Sequence, residues 1–243
     1  MNDLAESSAQ RSYGGHSLWE PLRRVMVRRP GLPGSETDWS DLAYFHAVDQ
    51  ERSDAEHAAF VELLRESSVD VVEAPPDEPG YLDAVFCYDP SLMTDGGAIL
   101  LRPGKPQRVD EVAFHAQTYA EIGVPILGQI EAPGTVEGGD TLWIDDTTLA
   151  IGRGYRTNRA GIEQMQRLLD PLGVTVRSYD LAHYHGPGEC LHLMSFISPV
   201  GEKLAVVYLP LMPVQLVEDL QEAGWTFIEV PDEEFESMAC NVL

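Results

Sequence analysis

Cysteine and basic charge are what this 243-residue sequence has least of. Its three cysteines, Cys87, Cys190 and Cys240, form an odd set with no CxxC pair, which argues against a disulfide framework and against a cysteine-rich zinc site. Sixteen Lys and Arg stand against 40 Asp and Glu, a net charge of −24 whose field repels phosphate backbones and anionic headgroups. Nucleic acid and membranes are therefore poor partners. No run approaches the roughly 20 apolar residues that a membrane helix requires, and the opening MNDLAESSAQ has neither a basic n-region nor an apolar h-region. The expected setting is the cytoplasm. What is present is core material: 44% apolar and 8% aromatic residues exclude disordered and collagen-like chains.

Residues 1–15 are polar and small and read as a loose tail, leaving residues 16–243 as a single domain. Leu22 to Val27 makes a short apolar strand, followed by a Gly/Pro/Ser loop to about Trp39. An internal repeat then dominates. Three segments close a helical pattern with glycine and resume at once as a strand: Ile122-Gly123-Val124, Leu172-Gly173-Val174 and Ala223-Gly224-Trp225, the glycines 50 and 51 residues apart. Helices are expected over Val109–Ile122, Asn158–Leu172 and Pro213–Ala223, each preceded by two apolar runs joined by a turn. A looser first copy has a helix over Asp54–Glu66 and a strand at Val69–Val72. That makes four strand, strand, helix, strand units. A module of this size cannot bury its apolar face alone and must stack on its neighbours. A radial arrangement with the polar strand ends meeting at the centre is the first reading, and an ordinary open α/β sheet is the alternative. Met238 to Leu243 reads as the opening strand of a fifth copy, cut short.

Polar residues recur at one phase of the repeat. Asp89, Asp140 and His192 are 51 and 52 residues apart, so they should line one central space together with Glu137. Taken singly, an Asp-Pro or a Gly-Gly-Asp is a turn or cap; the shared phase is what points to a pocket. Carboxylates gather in this way for a divalent metal or for an organic cation. His183, His185 and His192 offer metal ligands, but no HxxxH or HExxH spacing is present, and no metal or other cofactor is expected. A guanidinium fits better, because its planar fork of N–H donors takes carboxylates bidentately. The segment Gly152-Arg153-Gly154-Tyr155-Arg156-Thr157-Asn158 adds a basic element in which Thr157 or Asn158 suits a helix N-cap and Arg156 could clamp a carboxylate. Guanidinium at one end and carboxylate at the other describe an arginine derivative.

These residues resemble the guanidine-modifying enzymes: dimethylarginine dimethylaminohydrolases, arginine deiminases and arginine amidinotransferases. The resemblance spans nearly the whole chain, through Trp19-Glu20-Pro21-Leu22-Arg23-Arg24-Val25, Phe86-Cys87-Tyr88-Asp89-Pro90, Glu137-Gly138-Gly139-Asp140, Tyr155-Arg156-Thr157-Asn158, Leu191-His192-Leu193 and Asn241-Val242-Leu243. It implies a five-bladed α/β propeller of strand-strand-helix-strand repeats around a central pocket, with the last repeat largely missing. It also implies His192 as catalytic histidine, Glu137 as its orienting acid, Asp89 as guanidinium ligand and Arg156 as ligand of the substrate carboxylate. Phe86 would wall the guanidinium slot, and Asp140 and Asn158 complete the expected substrate-side set. His16 is placed on a loop over the pocket. In this family a cysteine thiolate attacks the guanidinium carbon, while a histidine protonates the departing amine and later activates water.

Two departures qualify the transfer. The family nucleophile sits in a glycine-rich segment of the fifth copy, and so is expected beyond Leu243. Cys87 and Cys240 read as packing residues, as does Cys190, although it lies two residues before His192. Tyr88 and Met194 stand where relatives carry charged residues, and the absent aspartate at 194 speaks against an arginine deiminase. The expected activity is that of a dimethylarginine dimethylaminohydrolase-like hydrolase giving citrulline and an amine. The alternatives are amidino transfer or a non-catalytic propeller that binds a partner. The implied partner is a small arginine-like substrate, with a homodimer left open.

Overall fold

The structure, a computed structural model, describes residues 13–31, 39, 44, 46–75, 81–189 and 191–242. It is an α/β fold of four small sheets and five α-helices among these residues. Of the expected tail, residues 1–12 lie outside the described residues, as do Cys190, Leu243 and most of the loop before Trp39.

The repeat sets the topology. The second module shows the plan in full: β3 (Ser91–Thr94) and β4 (Gly97–Leu100) form an antiparallel hairpin, α2 (Glu111–Ile122) crosses over, and β5 (Ile126–Gln129) adds parallel to β4. The third repeats it with β6 (Thr141–Asp145), β7 (Thr148–Arg153), α3 (Arg159–Leu169) and β8 (Thr175–Asp180). The fourth does so with β9 (Ile197–Gly201), β10 (Leu204–Val207), α4 (Val214–Glu222) and β11 (Thr226–Glu229). Each helical segment stops because the next glycine adopts left-handed backbone: φ is 75° at Gly123, 72° at Gly173 and 86° at Gly224. Short apolar strands follow at once.

Two expectations need correction. The first module is not a complete copy: β1 (Arg24–Val27) pairs in parallel with β2 (Asp70–Glu73) across α1 (Gln50–Glu66), and no antiparallel strand joins them among the described residues. The helix α1 also begins four residues earlier than expected, because the Asp49 side chain accepts from the Arg52 N–H and caps it. The opening strand expected at Met238 is not formed. Instead the acidic run after Pro231 makes the short helix α5 (Asp232–Phe235), the chain turns through Cys240, and Met238 sits at φ 63°, which breaks an extended path.

The cores straddle the modules. Leu142 and Ala150 of the third sheet pack with Phe196, Ile197, Ala205, Leu216 and Leu220 of the fourth module. Leu92 and Ile99 of the second sheet pack with Trp143, Leu149, Ile151, Met165 and Leu169 of the third. A module that hides its apolar face only against its neighbour cannot stand alone, which fixes the order in which the sheets lie side by side. Successive modules therefore place their first strands in the same sense. The residues just before β3, β6 and β9 share one end of the molecule, and the hairpin turns share the other.

Residues 13–20 run along the hairpin end. The His16 imidazole stacks on Trp143 with ring centroids 3.7 Å apart, its Nδ1 is 2.7 Å from the Asp146 carbonyl, and its Nε2 accepts from the Asp95 N–H. Those partners are hairpin-turn residues, so His16 does not lie over the pocket end as expected. No described helix is long and apolar enough to cross a membrane.

Candidate active site

The approach of three modules at the pocket end is built on Glu137-Gly138-Gly139-Asp140. A Cβ on Gly138 would stand 1.9 Å from the Tyr88 carbonyl oxygen, and one on Gly139 would stand 2.8 Å from the His192 ring. Only glycine permits this contact. The Gly138 N–H donates to the Asp89 carbonyl, and the Gly139 N–H donates to Asp89 Oδ1 at 3.0 Å, so the second and third modules are stitched together beside the functional side chains.

Glu137 is completely buried. Its Oε2 lies 2.6 Å from His192 Nε2, while its Oε1 accepts from the Gly104 N–H at 2.9 Å, Arg156 Nε at 3.0 Å and the Lys105 N–H at 3.3 Å. Burial alone would push this carboxyl up. The hydrogen bond and charge of His192, followed by those of Arg156, outweigh it and bring the pKa down to about 2. The acid is thus a fixed anion that holds the imidazole by one nitrogen.

His192 precedes a turn of 3₁₀ helix, Leu193–Ser195, in a reciprocal cap: the imidazole accepts from the Ser195 N–H, and Ser195 Oγ accepts from the His192 N–H. Asp140 supports the same turn from beneath. It is fully buried, its Oδ1 accepts from the Leu193 N–H at 3.0 Å, and burial, opposed by the His192 charge, raises its carboxyl to about 6. Its observed place is a support under the histidine rather than an exposed wall. Asn158 is likewise committed elsewhere: it caps α3 by accepting from the Gly161 N–H at 2.9 Å and donates to the Pro133 carbonyl. Arg156 does reach the cluster, where it pairs with Glu137.

Asp89 is buried, and its Oδ2 holds a guanidinium of the chain itself, Arg108 Nη1 at 2.5 Å. The Arg108 side chain is 3% exposed; it also meets Glu111 at 3.0 Å and the carbonyls of Asp83 and Phe86 at 3.1 Å. Lys105 reaches Asp83 beside it. Burial of Glu111 raises its carboxyl to about 7 despite the arginine. Phe86 is 54% exposed, and the Arg108 guanidinium lies 5.9 Å from its ring centroid. Arg108 is not among the residues expected from sequence. A signal was available, since a shift of 51 residues carries Arg102, Lys105 and Arg108 onto Arg153, Arg156 and Arg159.

Ligand atoms of Asp89, Glu137 and His192 all lie within 4.8 Å of one another, a spacing that would admit a small cation. Each of the two carboxylates, however, already carries an arginine of the chain itself, Asp89 that of Arg108 and Glu137 that of Arg156. The described thiols offer no ready nucleophile. Burial pushes Cys87 up to about 11 in spite of Arg28 and Arg108, and it pushes Cys240 up to about 11.

Comparison with known proteins places the chain in a family. The family profile described as N,N dimethylarginine dimethylhydrolase, eukaryotic, matches residues 40–243. The N(G),N(G)-dimethylarginine dimethylaminohydrolase of Pseudomonas aeruginosa is 31% identical over 223 residues, covering 90% of this chain and 80% of the relative. That of Streptomyces coelicolor is 30% identical over 218 residues, covering 88% and 76%. A solved structure of the Pseudomonas aeruginosa enzyme, a cysteine-to-serine mutant complexed with citrulline, superposes with a TM-score of 0.72 at 28% identity, covering 91% of this chain and 80% of that one. The fold is similar to that of the guanidine-modifying enzymes. Within them, the chain belongs to the N,N dimethylarginine dimethylhydrolase family and is a hydrolase of that family.

Proposed function

We propose that this protein hydrolyses a guanidinium C–N bond of an arginine-like substrate, with a dimethylated arginine as the leading case, giving citrulline and an amine. The observation that carries the reading is the buried Glu137–His192 pair set beside Asp89 and Arg156 in a chain of this family. Asp89 takes the substrate guanidinium in the place where Arg108 now sits, and Arg156 or Arg108 receives the carboxylate end. Holding the planar cation still is a positional contribution.

The covalent route has three balanced steps. A cysteine thiolate adds to the guanidinium carbon and forms a C–S bond. The amine then leaves as the C–N bond breaks, taking a proton from the imidazolium of His192 that Glu137 stabilises. Finally, water gives its proton to His192 and adds its oxygen to the carbon, and cleavage of the C–S bond releases citrulline and the thiolate. Asp140 and Asn158 enter this scheme as positioning residues, and Phe86 as the outer wall of the slot. Cores shared between neighbouring modules support a propeller arrangement of the sheets in one domain over residues 16–243.

The test, made on the intact protein with whatever sequence follows Leu243, is citrulline release from asymmetric dimethylarginine, measured beside calorimetric binding of the same compound. His192→Ala is expected to lower turnover by about 10²–10⁴-fold, and Asp89→Ala to weaken binding first. Binding without turnover would leave a binding protein in place of the hydrolase. Appearance of an amidino product only when a primary amine is added would assign transfer instead. If dimethylarginine neither binds nor reacts, the reading is wrong.

A further inference from the structure

Two buried acids hold Arg108 by different edges of its guanidinium. Glu111 Oε2 accepts from Nε at 3.0 Å and lies 3.0 Å from Nη2, and the carbonyls of Asp83 and Phe86 accept from Nη2 at 3.1 Å. Asp89 takes only Nη1. Every contact but that one survives if Arg108 withdraws from Asp89 alone. Asp89 would keep its own place, because its Oδ1 accepts from the Gly139 N–H at 3.0 Å.

Such a withdrawal requires a counter-ion. When a substrate guanidinium takes the place of Arg108 at Asp89, the displaced cation stays buried, and a buried charge without a partner is strongly destabilising. The neighbouring acids are committed: the Asp83 carboxylate pairs with Lys105 and accepts from the Tyr44 hydroxyl at 3.0 Å, and Glu137 is held by His192 and Arg156. Glu111 remains. It is 1% exposed at the first position of α2, where it faces Arg108, Asp83 and Arg28, whose guanidinium lies 4.0 Å from the Phe114 ring centroid. Burial raises the Glu111 carboxyl to about 7, opposed by Arg108 and Arg28 and reinforced by Asp83, so this acid exchanges its proton near neutrality. Tyr44 and Cys87, also close to it, keep their protons there because burial raises both.

We propose that Glu111 is a positioning residue for substrate binding: its carboxylate keeps Arg108 neutralised while Arg108 yields Asp89 to the substrate guanidinium. The proposal rests on the hydrolase reading given above. With Glu111 protonated, Asp89 is the only anion left in contact with Arg108 among the described residues, and it is not released. Affinity for the substrate therefore rises with pH as Glu111 loses its proton.

The experiment is the pH dependence of dimethylarginine hydrolysis by the intact protein, with kcat and KM separated. In the parent, KM is expected to fall about three- to tenfold between about pH 6 and 8. At the upper end Glu111→Gln should raise KM about tenfold, leave kcat within about threefold because Glu111 touches no reacting atom, and flatten that part of the profile. Groups common to both proteins, Asp140 and His192 among them, cancel in the comparison. Thermal unfolding checks that the variant folds. If it does not, Glu111→Asp, which keeps the charge at shorter reach, should raise KM and retain the fall of KM with pH. An unchanged KM in the variant that folds, a loss confined to kcat, or a Glu111→Gln profile parallel to that of the parent would overturn the proposal. Should the parent bind without turnover, the same comparison is read on the calorimetric Kd. A parent that neither binds nor reacts removes the hydrolase reading and this proposal together, whereas an active parent matched by Glu111→Gln removes this proposal alone.

Discussion

Glu137 stands just before β6 and Asp145 closes it, and the two have opposite surroundings. Glu137 has no exposure and four donors drawn from three parts of the chain. Asp145 is exposed and accepts from its near neighbour Thr147, at the start of the hairpin. The same contrast holds between the two ends of the modules. At the pocket end, Asp83, Asp89, Glu111 and Glu137 are buried and each faces Lys105, Arg108 or Arg156. At the hairpin end, acids stand in water around aromatic walls. A buried charge must be matched and becomes geometrically fixed, whereas an exposed one adds to a diffuse field and contributes little to stability. A chain of net charge −24 therefore keeps several of its few cations where they neutralise buried acids.

The contrast can be broken most strongly at Arg108. Arg108→Ala leaves Asp89 and Glu111 buried with one cation fewer, and chemical denaturation should show a loss of about 3–5 kcal/mol. Gly139→Ala comes next: its Cβ would press on the His192 ring, with an expected cost of about 1–3 kcal/mol and a fall in turnover larger than that stability change alone explains. A third test uses acid. Because the Glu137 carboxyl lies at about 2 when folded against an ordinary value of 4.5, its stabilising effect is complete above pH 4.5 and is lost as the pH falls toward 2. Unfolding midpoints of the parent and Glu137→Gln should converge across that window, by a difference on the order of 1–3 kcal/mol. At the other end of the modules, Glu202→Gln should change stability by no more than about 0.5 kcal/mol. A large loss there would erase the distinction.

The repeat was legible because its marks are local. A glycine with left-handed backbone must follow each helix, and a strand must follow the glycine, so Gly123, Gly173 and Gly224 reveal three modules without any tertiary knowledge. Asp89, Asp140 and His192 were legible through their phase in that repeat, with Glu137 beside them, whereas Arg156 was read from the basic segment before α3. Asp140 and Asn158 were expected on the substrate side and stand instead beneath and beside it, because a Gly-Gly-Asp or an Arg-Thr-Asn reads alike whether it faces a pocket or holds a turn, and only the packed chain decides. Arg108 escaped because Asp83, Asp89 and Glu111 converge on it from separate segments. The final segment failed as a strand because hydrophobic pattern alone does not reveal that Met238 adopts left-handed backbone.

The stack of His16 on Trp143 gives the molecule a built-in optical reporter. Detachment of residues 13–20 from the hairpins would break the 3.7 Å stack and change the surroundings, and so the emission, of Trp143. Rapid-mixing emission records can therefore time the seating of residues 13–20 on the hairpins without any attached dye.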